Sequence, residues 1–218
     1  MPEPGKAITD IRYLLDRGYP GKGAITFVCN HYRLDIKWRY VFTRVVFGKD
    51  TIKSRREKTV KCEDLEGKVM LVDGYNVLIG VESALKGEPV YLCDDGFLRD
   101  TRGVFRNYRC SGLTTKAMDE ILGALRGFAL SRVEFLFDSQ ISKSKEMARW
   151  VEKKLKDVGL EGGAGTSRHV DYDLKQSNGI IATSDGRIID EVAKAVNIQA
   201  CVLEHLNISP VIIEGVFR

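Results

Sequence analysis

The sequence has no Cys-x-x-Cys pair, and its five cysteines, Cys29, Cys62, Cys93, Cys110 and Cys201, are scattered and odd in number. Such spacing supports neither a zinc ribbon nor a disulfide framework, so reduced cysteines are expected. No run approaches about 18 consecutive apolar residues, which argues against a membrane-spanning helix and a membrane partner. The opening residues, MPEPGKAITD, have neither the basic nor the apolar segment of a secretory signal, so a cytoplasmic location is expected. A Walker glycine loop is missing. The three histidines, His31, His169 and His205, show no Ser-His-Asp or Cys-His spacing. There is no internal repeat and no low-complexity tract.

What is present is an ordinary globular composition, 218 residues with 44% hydrophobic and 29% charged. The net charge of +4 conceals an asymmetry. Residues 1–61 hold 14 Lys+Arg against 6 Asp+Glu, and the remainder hold 20 against 24. A basic first region can hold a polyanion by releasing counterions, although a solvated basic helix face has the same composition.

The first region reads as helical. Ile8, Ile11, Leu14 and Leu15 fall on one helix face, and Gly18 and Pro20 end that helix. Two further helical segments, AITFVCNHYRL and IKWRYVFTRVVFG, follow. GKDTIKSRREKTVK reads as a helical turn or two and then a linker. The expected division is a small basic helical domain, 1–61, and an α/β domain, 62–218.

From residue 68 the pattern alternates. KVMLV is a continuous apolar run, as expected of a strand covered on both faces. PVYLCDDGFLRD reads as two short strands about an Asp-Asp-Gly turn. TTKAMDEILGALRGFAL is a helix capped by Thr114 or Thr115. RVEFLFD is a strand. In the segment from Ser142 onward, Met147, Trp150, Val151, Leu155 and Val158 share a helix face. GGAGTSRHVDYDLKQSNG reads as a loop or short element, GIIATSD as a strand and RIIDEVAKAVN as a helix. QACVLEHL and PVIIEGV read as further strands. Alternation of this kind predicts an α/β fold with a mostly parallel sheet flanked by helices.

Three predicted strands end in aspartate: Asp73, Asp138 and Asp185. Parallel strands bring their C-terminal ends to one edge, where open α/β sheets bind ligands. Asp171 and Asp173 in HVDYDL, and Asp94, Asp95 and Asp100 in CDDGFLRD, are further candidates. Each can also be read as a turn or cap residue. Clustered carboxylates repel one another, and a divalent cation offsets that cost. Hard oxygen donors select Mg²⁺ or Mn²⁺.

VMLVDGYNVLI resembles the first motif of PIN-like nucleases, especially the NYN branch, and IIATSD resembles their late Thr-x-Asp motif. The likeness covers residues 68–205. The whole chain resembles a largely uncharacterised, mainly archaeal family that joins a small helical domain to a PIN-like one. The resemblance implies a three-layer α/β/α domain and a metal-dependent ribonuclease. Asp73 would be the central metal ligand, with Asn76 beside it. Asp185 would be the last ligand and Asp173, with Asp171 next to it, the preceding one. For the second acidic position the strand-end argument favours Asp138 over Asp119 or Glu120, and Asp95 stays among the metal candidates. Arg99 and Arg102 are candidate phosphate contacts near the metal. Lys53, Arg55 and Arg56 are candidate RNA contacts from the basic region.

The leading expectation is therefore a Mg²⁺- or Mn²⁺-dependent nuclease acting on RNA. The alternative is a catalytically inactive RNA- or protein-binding module on the same scaffold. A phosphatase of the haloacid-dehalogenase kind needs two aspartates two residues apart after the first strand, and position 75 is Tyr75. The oligomeric state is open, a homodimer included.

Overall fold

The computed structural model of the protein describes residues 4–101 and 108–216. Four helices come first: α1 (Pro4–Leu15), α2 (Gly21–His31), α3 (Ile36–Val45) and α4 (Lys49–Lys58). Ile8 and Ile11 of α1 are fully buried against Val28 of α2 and Phe42 of α3, as their helical spacing predicts. This small core is not self-sufficient. Cys93, Ile213 and Val216, from distant parts of the chain, complete it.

The helical turn or two expected after Gly48 extends to the ten-residue helix α4, and in place of the expected linker strand β1 (Thr59–Val60) follows directly. Sequence periodicity does not reveal α4 because it has no apolar stripe; its one buried residue is Arg55. Charge holds it in place. Arg55 pairs with Asp95 at 2.8 Å and with Asp190 at 2.7 Å.

β1 is the edge of a six-stranded, all-parallel sheet. The other strands are β2 (Val69–Asp73), β5 (Arg132–Asp138), β6 (Gly162–Ser167), β7 (Ile180–Ala182) and β8 (Ala195–Val196), in the order β1-β8-β7-β2-β5-β6. A separate antiparallel hairpin, β3 (Val90–Leu92) with β4 (Leu98–Asp100), turns through Asp94-Asp95-Gly96 as predicted.

Pleating sends alternate side chains to opposite layers. Met70, Val72, Val133, Phe135, Ile180 and Ala182 face one core. That core is covered by α5 (Gly74–Leu85), α6 (Gly112–Gly127), α7 (Ser144–Asp157) and α10 (Ile198–His205). Leu71, Leu136 and Ile181 face the other side, under α8 (Val170–Lys175) and α9 (Gly186–Glu191). The expected α/β architecture is thus present: a parallel sheet between helical layers, preceded by a helical region.

Several local expectations need correction. The glycine-rich stretch after Leu160 forms strand β6 and the short helix α8. Gly162 has φ +150 and a Cβ there would collide with the Val133 carbonyl, so a sequence with poor strand propensity sits against β5 where side chains do not fit. QACVLEHL is helix α10, not a strand; Asn197 Oδ1 accepts from Ala200 N at 3.3 Å and starts it. PVIIEGV contributes one isolated bridge, Val211 with Tyr91, before Ile213 and Val216 insert among the N-terminal helices. RIIDEVAKAVN is helical only to Glu191, and its Ala195-Val196 becomes β8. Helix α6 begins after Ser111, and Thr114 Oγ1 accepts from Ser111 N at 2.9 Å. Finally, Cys62 and Cys201 form a disulfide across 139 positions of sequence, where reduced thiols were expected. Cys29, Cys93 and Cys110 are free.

A carboxylate crevice at the sheet edge

The chain leaves β2 towards β5 and β6 on one side, then returns to lay β7 against the other side of β2. The C-terminal end of β2 is therefore the switch point of the sheet, where connections diverge and leave a crevice. A cleft of about 780 Å³ opens there.

Asp73 sits at its floor, 7% exposed. It ends β2 and precedes the first turn of α5, whose N-terminus favours negative charge. Thr183, in the loop after β7, donates its hydroxyl to Asp73 Oδ2 at 2.9 Å. The same hydroxyl accepts from Asp185 N at 3.1 Å. Burial pushes the Asp73 carboxyl up to about 7; the Thr183 hydrogen bond opposes the rise, and the negative charges of Asp185 and Asp171 add to it. Gly74 is required by close packing, not by backbone freedom: a Cβ there would lie 2.5 Å from the Phe137 ring.

Asn76 lies one helical turn on. Its Oδ1 accepts from Ser184 N at 2.8 Å and Ser184 Oγ at 2.9 Å, so this oxygen ties α5 to the loop after β7. Asp185 caps α9 through Oδ1, which accepts from Arg187 N at 2.8 Å. Asp138 ends β5 and lines the crevice, its Oδ1 accepting from Gln140 N at 2.8 Å. Asp171, from the first turn of α8, lines the crevice as well. Asp173 does not; it is exposed on α8 away from the cleft. Two residues on along a helix is more than half a turn, so only one of the pair can face inward.

The other expected residues are placed differently. Asp95 is 1% exposed and sealed by two guanidinium groups. Arg99 reaches both of its oxygens at 2.7 Å, and Arg55 reaches Oδ2 at 2.8 Å. No oxygen remains for a metal. Arg99 also donates to the Ser184 carbonyl at 2.7 Å, clamping the loop that carries Asp185. Arg55 and Arg99 thus border the crevice as buried struts. Arg56 donates to the Asp94 carbonyl at 2.8 Å, and Lys53 is exposed on α4. Arg102 lies outside the described residues.

Sequence reasoning missed the cationic rim. Arg44, Arg168 and Arg187 line the cleft from three separate elements, and His169 and Tyr172 stand beside them. No motif links these residues; Arg44 belongs to α3, far from the sheet in sequence. Oxygen-only carboxylates below and arginines above suit a phosphate diester bridged by a hard cation. Among the described residues, no three His, Cys, Asp or Glu side chains already converge tightly enough to enclose a metal ion. Mg²⁺ often binds through one or two carboxylates while keeping several waters, so Asp73 with Asp171 or Asp185 suits that mode.

Fold and site together define an α/β protein with a carboxylate crevice at the switch point of a parallel sheet and a helical region docked on its rim. The chain belongs to the DUF5616 family: residues 62–201 match that family, described as a domain of unknown function, and residues 5–58 match DUF434, a protein of unknown function. It is 36% identical over 203 residues to the uncharacterized protein MJ0935 of Methanocaldococcus jannaschii, covering 92% of this chain and 97% of that one. No solved structure matches it.

Proposed function

We propose that the protein is a Mg²⁺- or Mn²⁺-dependent, PIN-like nuclease that hydrolyses phosphodiester bonds in RNA. One observation carries the reading: a buried carboxylate, Asp73, lies at a parallel-sheet switch point within the electrostatic reach of Asp171 and Asp185, below a rim of arginines.

Asp73 with Asp171 or Asp185 would hold the cation, which when bound would supply Lewis-acid stabilisation of the phosphoryl group and lower the pKa of its water. The chain's own residues do the rest. Thr183 and Asn76 hold the Asp73 carboxylate and the Ser184–Asp185 loop in register. Arg44, Arg168 and Arg187 neutralise phosphate charge entering the cleft. Asp138, at the end of β5, lines the same cleft and orients water there.

The test is incubation with single-stranded and structured RNAs, with Mn²⁺, with Mg²⁺ and with chelator. Metal-dependent cleavage that disappears in Asp73→Asn is expected. Absence of cleavage, or cleavage undiminished in that variant, would overturn the reading. A non-catalytic RNA-binding role is the second reading, since among the described residues no three-ligand cluster is preassembled; it predicts RNA retention without any dependence on the metal.

A further inference from the structure

The crevice does not end at its carboxylates. Thr43, Arg44 and Phe47 line both the crevice and a neighbouring second hollow of about 680 Å³ on the helical region, between α2 and α3. Its apolar lining includes Ile25, Ile36 and Tyr40. Ile36 and Tyr40, one helical turn apart on α3, are each 65% exposed. Among the described residues, the charged ones of the lining are Lys22, Arg39 and Arg44, and none is acidic. Arg39 donates to Asn30 Oδ1 at 2.6 Å and Arg44 to the Asp100 carbonyl at 3.0 Å, both neutral partners. Arg39 Nε is buried without an acceptor, and such donors normally find one.

An aromatic and aliphatic floor with an all-cationic rim is how proteins hold single-stranded nucleic acid: bases stack on the rings and phosphates meet the cations. We propose that this groove binds the unstacked bases of single-stranded RNA, on the same strand whose phosphates enter the carboxylate crevice. The proposal rests on the phosphodiester reading of that crevice. Continuity argues for the occupant. A strand laid along Thr43, Arg44 and Phe47 joins the two hollows, whereas a partner protein's apolar helix has no use for the connection. Duplex RNA hides its bases and leaves the apolar floor uncovered.

The experiment is fluorescence anisotropy on the full chain in EDTA, which separates binding from cleavage. The probes are a labelled single-stranded RNA of about 12 nucleotides, an abasic strand with the same phosphates and a duplex of equal length. Wild type should bind the base-bearing strand more tightly than the other two. Tyr40→Ala and Ile36→Ala should each weaken that strand's binding, Tyr40→Ala by about tenfold, and leave the abasic strand unchanged. Both side chains are exposed, so unchanged circular dichroism melts will confirm folding. Variants that bind like wild type, or an abasic strand that binds as well as the base-bearing one, overturn the proposal. So does a change in oligomeric state by light scattering with RNA binding unaltered, which makes the groove a contact between copies. Cleavage assays run alongside keep the two readings apart. Loss of binding in Tyr40→Ala, with no Mn²⁺-dependent cleavage by wild type, removes the nuclease and keeps the groove. Cleavage with unaltered Tyr40→Ala binding does the reverse.

Discussion

The hydroxyl of Thr183 lies 2.9 Å from Asp73 Oδ2 and joins the loop after β7 to the carboxylate at the end of β2. This bond opposes the upward push of burial on the Asp73 carboxyl. Thr183→Val removes it, so protons compete better with a cation. Mn²⁺ affinity measured by titration calorimetry should fall roughly tenfold at pH 7 and recover part of that loss at pH 8.5, from a bond worth about 1.5–3 kcal/mol to a charged acceptor. Equal affinities for variant and wild type at both pH values would break the link between these residues.

Asp73 also makes stability depend on pH. Its folded value of about 7 stands above the ordinary 3.8, so the native state holds a proton that the unfolded chain has released. Stability should therefore fall as pH rises from about 4 to about 7, and level off above that. Asp73→Asn removes the buried charge. Urea denaturation should find it more stable than wild type by on the order of 2–4 kcal/mol at pH 8, with little difference below pH 4. A constant difference across the range would locate the effect elsewhere.

Asp95 has the opposite sign. Burial pushes its carboxyl up, but Arg99 and Arg55 outweigh that and hold it below the usual value. Its contribution is present above about pH 4 and is lost as pH falls through the lower folded value. Asp95→Ala leaves two buried guanidinium groups without their shared partner and should cost about 3–5 kcal/mol. Thermal melts with Mn²⁺ titration check this: the variant should lose stability. A fall in Mn²⁺ affinity with stability intact would restore Asp95 as a ligand.

Asp171 and Asp173 separate the inward from the outward face of α8. Asp171→Asn should reduce metal-dependent RNA cleavage by at least tenfold, and Asp173→Asn should leave it within about twofold, since an exposed carboxylate outside the cleft contributes little. Initial rates at saturating Mn²⁺ decide between them, and the reverse order would reverse the assignment.

Two glycines test packing against propensity. Gly74→Ala drives a methyl into the Phe137 ring and should destabilise by about 1–3 kcal/mol. At Gly123, exposed in α6, a Cβ meets nothing within 4 Å. Gly123→Ala should therefore stabilise by about 0.5–1 kcal/mol. Differential scanning calorimetry of both, with Gly74→Ala/Phe137→Leu expected to regain part of the loss, checks the argument.

Much of this arrangement was legible in the sequence. The continuous apolar run ending in Asp73 marked a central strand, because a strand covered on both faces has no polar side to show, and VEFLF before Asp138 marked another. The 3.6-residue spacing of Ile8 and Ile11, and of Met147, Val151 and Leu155, marked helices that bury one face. Only a turn or two of helix α4 was legible, because ion pairs with Asp95 and Asp190 hold its full length and local periodicity carries no trace of them. Strand β6 was hidden because its glycines have poor strand propensity, and one of them, Gly162, is demanded by the backbone of the neighbouring β5. The Cys62–Cys201 pairing was equally hidden, since only the tertiary path brings Cys62, in a short 3-10 turn (Cys62–Asp64) after β1, to α10.

By itself the sequence determined the alternation of strands and helices and the ending of β2 and β5 in aspartate, because burial and pleating act on near neighbours; Asp185 instead lies three residues beyond β7, as the cap of α9. Only the tertiary structure decided which carboxylates share a crevice. It turned Asp171 inward and Asp173 outward, spent Asp95 on two arginines, and brought Arg44 from a distant helix to the rim. Those choices depend on through-space charge and on which surfaces meet, and neither is written in local spacing.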